Sequence, residues 1–514
     1  MHHSDERREI INSFRIFESN VYLTILFKSL FLFVLLVFVA CRNNLYAQNH
    51  RKHQYPQYRL HKRSHITTNT IRTTPNIILI YTDDMGYGDI SADGGPWHTP
   101  NIDRLASSGL RITHYYSAAP ICSASRVGVL TGMDPGEWNF YSYEGTRKAS
   151  AKINQAPYLL PIAPTIARTL KENGYVTAHI GKWHMGGSRD VYNAPKFARY
   201  GFDEHDGTYE SPEPDPLITA TNWIWSPQDS IKRWNRTSYF VNKALDFLKR
   251  HKGKPCYVDF WPDDMHTPWV PNKQAEDVFP KGSQGEKNFE LVLKNYDKQI
   301  GRLIAGLKKL GMYKNTLIIL TSDNGPYPSF GGKRTCGMRG SKFSLYQGGT
   351  RLPFIVEWPG HVPVGKVDST SVVSSTDIFP TLAAIVGVPM PSRFNFSGQN
   401  RKDVWMGNPS KRTKPLYWEY GSHGDKAAYI YPSRARGYHQ GGYEKSRDYS
   451  PNLAIQKGKW ELLINYDGSN MQLYNLKADP DETNSVTELH QKIANMLKEK
   501  LILWRNNLPE FRHF

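Results

Sequence analysis

Three carboxylates and one amide stand at the ends of two apolar runs in this chain. Asp83-Asp84 follows Ile77-Ile78-Leu79-Ile80-Tyr81, and Asp323-Asn324 follows Thr316-Leu317-Ile318-Ile319-Leu320-Thr321-Ser322. Carboxylates with an amide oxygen form a hard, oxygen-only donor set, suited to Ca2+ or Mg2+ and not to zinc. Between the two pairs, Cys122-Ser123-Ala124-Ser125-Arg126 runs directly into Val127-Gly128-Val129-Leu130-Thr131-Gly132. Lys182 and His184 share the glycine-bounded segment 181–186, and strand-like alternation would point both to one side. His266 stands in Asp263-Asp264-Met265-His266-Thr267-Pro268, and Lys342 in the glycine-bounded segment 340–349. A hard metal site with cations beside it is equipment for attack on an anionic ester, because the ion lowers the pKa of an attacking hydroxyl and neutralises charged oxygens.

These residues are far apart in sequence, so the fold must gather them. Buried-strand patterns recur at 77–81, 176–180, 256–261 and 316–321, with helical patterns such as 164–172 and 289–310 between them. Strands alternating with helices predict an α/β sandwich around a mostly parallel central sheet. Ligands of such sheets collect beyond the carboxyl ends of the strands, which is where Asp83, Lys182, His266 and Asp323 all fall. After about residue 400 the pattern changes to short strands at 416–420, 453–456, 460–465 and 472–475. A closing helix with Val486, Leu489, Ile493, Leu497 and Leu501 on one face completes a smaller α+β subdomain with a short antiparallel sheet.

The expected organisation is a signal peptide over 1–47, a basic linker over 48–74, a catalytic domain over 75–400 and a C-terminal subdomain over 401–514. The apolar run 29–40 has the length of a signal-peptide core. Val39-Ala40-Cys41 offers a lipoprotein exit before Cys41, and Leu45-Tyr46-Ala47 an ordinary cleavage site. Either predicts export to the periplasm, the cell surface or the medium. The net charge of +18 suits an anionic partner. No RNA-binding or helix-turn-helix pattern accompanies it, so nucleic acid is not expected. Cys41, Cys122, Cys256 and Cys336 do not make a disulfide scaffold, and a Cys256–Cys336 bridge is not expected.

From about residue 75 to 390 the four motifs, in this order, resemble those of the type I sulfatases, on the alkaline phosphatase fold, and most of all the exported bacterial carbohydrate sulfatases. The resemblance implies that Cys122 is oxidised to formylglycine (3-oxoalanine), whose hydrate is the nucleophile. It implies one Ca2+, with Mg2+ the lesser fit, held by Asp83, Asp84, Asp323 and Asn324 and touching residue 122. Arg126 would reach back to the hydrate or to a ligand carboxylate. Lys182 and Lys342 would donate to sulfate oxygens, His184 would bond the second hydroxyl of the nucleophile, and His266 would be the general acid. A proton donor helps because a sugar alkoxide is a poor leaving group. Asp263 and Asp264 would raise the pKa of His266.

Two departures stand out. Ala124 replaces the family's usual Pro, which resembles the substrates of bacterial oxygen-independent maturases, so a formylglycine-generating maturase is an expected partner and no stable protein partner is expected. Gln347 replaces the usual Glu, with a local effect expected. The expected substrate is a sulfated carbohydrate, an algal polysaccharide such as ulvan or carrageenan or its oligosaccharides. Trp223 and Trp225 offer aromatic sugar platforms, or pack their loop onto the body. Arg434, Arg436 and His439 offer a site for a uronate or a second sulfate. The rival readings are a phosphoester or phosphonate hydrolase on the same fold, and a non-catalytic protein that binds sulfated glycans.

Overall fold

Asn76–Thr82 is a strand because seven consecutive residues without glycine or proline, most of them large and apolar, can be buried on both faces. Ile77, Leu79 and Tyr81 point into one apolar layer, whereas Ile78 and Ile80 point into the other. The strands Cys256–Trp261 and Thr316–Ser322 flank it in parallel and divide their side chains the same way. The computed structural model describes residues 74–187, 190–221, 223–277, 285–421 and 450–510. Residues 1–73, where the signal peptide and nearly all of the basic linker are expected, lie outside them, as do Arg434, Arg436 and His439.

The central sheet has eight strands, in the order Lys366–Asp368, Leu110–Ile112, Ile355–Glu357, Thr316–Ser322, Asn76–Thr82, Cys256–Trp261, Val176–Gly181 and Glu204–Gly207. The last five run parallel, and Ile355–Glu357 is antiparallel to both its neighbours. Helices Arg236–Arg250 and Glu286–Lys309 cover one face through Phe240, Phe247, Leu293 and Leu303. The buried helix Cys122–Thr131 belongs to the layer on the other face. This is the α/β sandwich that the alternation of strands and helices predicts. A three-stranded sheet of Val373–Ser374, Tyr115–Tyr116 and Arg351–Leu352 was not expected, since two-residue strands leave no periodicity to read.

The antiparallel sheet Leu416–Glu419, Leu453–Lys457, Trp460–Ile464 and Gln472–Asn475 follows in sequence. Leu453, Ile455, Leu462 and Ile464 pack against Ala494, Leu497 and Leu501 of helix Gln491–Asn506. The opposite face, through Trp418, Ala454, Leu463 and Tyr474, joins the large core, and the Trp418 indole donates to the Ser117 carbonyl at 2.8 Å. The expected stripe on the closing helix is corrected at Leu489, which is 78 % exposed. It falls in the 3-10 turn Glu488–His490, whose tighter winding takes it off the α-helical face. Cys122, Cys256 and Cys336 are all free thiols.

Candidate active site

The parallel register Thr82 with Ser322 sets the two acidic strand ends side by side. Asp84 has a left-handed backbone (φ 59°), and its N–H donates to Asp323 Oδ1 at 3.0 Å. Asn324 Nδ2 donates to Asp84 Oδ1 at 2.7 Å. All four residues are fully buried. Asn324 Oδ1 is buried and accepts no hydrogen bond, and Asp83 Oδ1 also accepts none, with Arg126 as an ion-pair partner at 3.3 Å. Burial alone would raise the Asp83 carboxyl, but Lys182, His266, Arg126 and Lys342 hold it well below the usual range. Burial, with Asp83 and Asp84 alongside, pushes Asp323 up to about 7 despite Arg126. A buried amide oxygen without a hydrogen bond beside crowded carboxylates fits a divalent cation, and Asp83, Asp84, Asp323 and Asn324 are the residues that would hold one.

Cys122 is the first residue of its helix, and no side chain caps that end. The amide N–H groups of the first turn therefore point their partial positive charge at the cluster. Cys122 Sγ, standing where the oxygen of an oxidised side chain would be, lies 3.9 Å from Asp84 Oδ1. Sγ and carboxylate oxygens of Asp83 and Asp323 lie within 4.8 Å of one another. Burial pushes the Cys122 thiol up, far outweighing Lys182 and Lys342, so the unmodified side chain stays protonated and a poor nucleophile. One turn on, Arg126 donates to Asp323 Oδ2 from Nε (3.0 Å) and NH2 (2.7 Å) and to the Lys182 carbonyl from NH1 (2.7 Å). Its guanidinium braces the carboxylates and does not point at Sγ as a free donor.

Lys182 Nζ lies 2.8 Å from Asp83 Oδ2, and Lys342 Nζ lies 2.6 Å from Asp84 Oδ1. Burial opposes charge on both ammonium groups, but the surrounding groups together, led by Asp83 at Lys182 and Asp84 at Lys342, raise both and keep them charged. Lys182 and His184 do face one site, but not by strand alternation. The strand ends at Gly181 (φ 119°), where a Cβ would meet the Trp261 carbonyl oxygen at 2.0 Å, and His184 itself has φ 54°. Burial drives the His184 imidazole down to about 3, so it is neutral.

Glu210, buried at 3 % exposure, escaped the sequence reading. Its Oε1 lies 3.7 Å from Lys182 Nζ and 3.6 Å from His184 Nδ1, and those partners hold its carboxyl down to about 2 against the cost of burial. Nothing in the run Glu204–Glu210 marks the last residue from the first. Glu210→Gln is expected to lower kcat/KM about tenfold, ~1.4 kcal/mol of transition-state stabilisation. Its thermal midpoint should be little changed and Glu210→Asp should restore part of the rate; unchanged kinetics would remove Glu210 from the site. Arg334 was missed for the same reason. Buried, it donates to the Asp84 carbonyl at 2.7 Å and chelates Asp89, fixing the backbone of a carboxylate in the cluster.

His266 is the member of this set at the mouth, with a side chain 24 % exposed. Its Nδ1 lies 2.6 Å from the Thr267 carbonyl and must donate to it, which leaves Nε2 facing Asp84 Oδ2 at 3.8 Å. The expected effect of the preceding aspartates is corrected. Asp263 is taken up by Arg233 and Arg236, and burial together with Lys342 keeps the imidazole below its ordinary range although Asp84 and Asp83 oppose them.

The proposed sugar platforms part company. Trp225 is 3 % exposed and clusters with Tyr209, Ile224, Val270 and Ala275, so its ring packs the loop onto the body and offers no platform. Trp223 is 54 % exposed. Gln347 donates from Nε2 to Glu461 Oε2 at 2.6 Å, and burial pushes that carboxyl up to about 8.

Residues 75–388, more than half of the chain, match the family model described as Sulfatase, and residues 340–507 match that of the N-sulphoglucosamine sulphohydrolase C-terminal region. The chain is 29% identical over 513 residues to an N-acetylgalactosamine-6-O-sulfatase of Bacteroides thetaiotaomicron, across 83% of this chain and 92% of that one. To the N-acetylgalactosamine-6-sulfatase of Homo sapiens it is 31% identical over 358 residues, covering 63% of this chain and 65% of the human protein, just under two thirds. The solved structure of Ps i-CgsB in complex with k-i-k-neocarrahexaose superposes with a TM-score of 0.66 at 25% identity, over 86% of this chain and 95% of the other. BT33336S-sulf, solved in work on glycosaminoglycan metabolism by Bacteroides thetaiotaomicron, gives 0.66 at 25% over 85% and 100%.

Proposed function

The chain belongs to the sulfatase family and is a sulfuric ester hydrolase, and from that premise we propose that it removes a 6-O-sulfate from an N-acetylgalactosamine unit of a sulfated glycan. The observation that carries the chemistry is the convergence of Arg126, Lys182 and Lys342 with three carboxylates around residue 122. Sulfatases generally use Ca2+ and formylglycine; bound by Asp83, Asp84, Asp323 and Asn324, the ion would acidify the attacking hydroxyl of the oxidised residue 122 and offset sulfuryl charge. Lys182 and Lys342 hold the sulfuryl oxygens, and their positive charge is fixed before the substrate arrives. Neutral His184, anchored by Glu210, accepts a hydrogen bond from the nucleophile. With Nδ1–H committed to the Thr267 carbonyl, His266 serves as general acid as the imidazolium. It takes up a second proton at Nε2 beside the anionic ester and passes it to the departing sugar oxygen, and its place at the mouth matches a leaving group that extends into solvent.

The names of the relatives support the sugar. A 6-O-sulfated galactan of algal origin is the second reading, favoured by the likeness to a structure bound to neocarrahexaose. Export from the cytoplasm, read from the apolar run 29–40, belongs to the same proposal. The test measures sulfate release from N-acetylgalactosamine 6-sulfate, its 4-sulfate isomer, galactose 6-sulfate and neocarrabiose sulfates, beside paired aryl sulfate and phosphate esters. Fastest turnover of N-acetylgalactosamine 6-sulfate is expected. Preference for a neocarrabiose sulfate selects the algal reading, and phosphate release exceeding sulfate release overturns both.

A further inference from the structure

A groove of about 470 Å³ lies between the 411–414 loop, the hairpin turn after Lys457 and the closing helix, and none of the active-site residues lines it. Val372, Trp460 and Met496 supply apolar lining, and Met496 is 42 % exposed. Lys411, Arg412, Lys414 and Lys457 supply cations, and no acidic residue lines the groove. The loop is pinned from below: Arg412 pairs with the buried Asp377, and Lys414 Nζ donates to the Phe396 carbonyl at 2.6 Å. Arg401 NH2 donates to the Ser410 carbonyl at 2.6 Å. The exposed side chains of Lys411 and Lys457 have no hydrogen-bond or ion-pair partner among the described residues. A groove with apolar lining, a rigid rim and unneutralised ammonium groups is complementary to a polyanion with apolar ring faces.

We propose that this groove is a non-catalytic binding site for the sulfated glycan chain itself, holding a segment of polymer away from the sugar being desulfated. The identity of the occupant rests on the sulfatase reading; the charge complementarity and the groove do not. The size fits one or two sugar rings, and the ammonium groups would meet sulfate or carboxylate groups on them. Gain in affinity comes from linking this contact to the catalytic one, so it is confined to long substrates.

The test uses the full chain carrying Cys122→Ala, so that binding is read without turnover, and the paired substitution Lys411→Ser with Lys457→Ser. The probes are chondroitin 6-sulfate chains and N-acetylgalactosamine 6-sulfate, titrated calorimetrically at two salt concentrations. Lys294→Ser with Lys298→Ser, on the exposed side of helix Glu286–Lys309, is the control. The groove variant is expected to bind the polymer about five- to tenfold more weakly, with a smaller salt dependence, and the monosaccharide unchanged. The matured enzyme with the groove pair replaced should turn over the monosaccharide at the parent rate. Polymer affinity unchanged by the groove pair, lowered equally by the control pair, or absent in the parent overturns the proposal. Failure of the sulfatase reading shows separately, as no sulfate release from any ester by the matured enzyme.

Discussion

Cys122→Ala is expected to lower sulfate release by about 10³-fold or more, since covalent catalysis loses its attacking group and residual rate comes from binding and fixed charge alone. The fold should survive. Residue 122 is 2 % exposed at the start of a helix whose ten residues are all buried, and deleting one sulfur leaves a void smaller than a methylene or two, costing about 1 kcal/mol. The experiment pairs initial rates with a thermal midpoint, and with a peptide mass at position 122 of the active parent. That mass should correspond to the aldehyde or its hydrate and not to the thiol. A thiol mass in fully active enzyme would sink the assignment, because activity would then not depend on the oxidised side chain and burial keeps this thiol protonated. An unmodified parent without activity would instead mark a maturation failure, which co-expression with a maturase corrects.

A strand buried on both faces leaves a continuous apolar run, and a hard donor just after it is conspicuous. Asp83, Asp84, Asp323 and Asn324 were therefore legible, and adjacent parallel strands bring them together. Glu210 and Arg334 were not, because their significance lies in partners far away in sequence: Lys182 and His184 for one, Asp84 and Asp89 for the other. The shared facing of Lys182 and His184 was anticipated for a reason the backbone overrules, since two left-handed residues re-aim the chain beyond Gly181. Trp225 illustrates the opposite failure. An aromatic in a long connection reads equally as a platform or as packing of that loop onto the body, and only burial decides.

Asp323→Asn is expected to lower kcat by about 10²- to 10³-fold, the scale of removing one preorganised electrostatic contact, and to abolish a Ca2+-dependent rise in thermal stability. In the parent, Ca2+ at about a hundred times its Kd should add ~2.7 kcal/mol to unfolding, and a chelator should remove both that increment and the activity. The reason lies in the charge count. With all groups ionised, Asp83, Asp84, Asp323 and Glu210 face the permanent cations Arg126, Lys182 and Lys342, leaving one surplus negative charge in a buried site. A dication turns that surplus into a single positive charge, the counterpart of the single negative charge on a sulfate monoester. A phosphate monoester, largely dianionic at neutral pH, would overshoot it. The Asn variant shifts the balance by one and also loses half of the ion pair that holds Arg126, so its defect should not be rescued by excess Ca2+. Asn324→Ala leaves the charge count intact and removes one neutral oxygen, so added Ca2+ should recover much of its activity. Should both variants respond to Ca2+ alike, or should the parent gain no thermal stability from the ion, the carboxylate cluster would be a set of internal ion pairs and not a metal site.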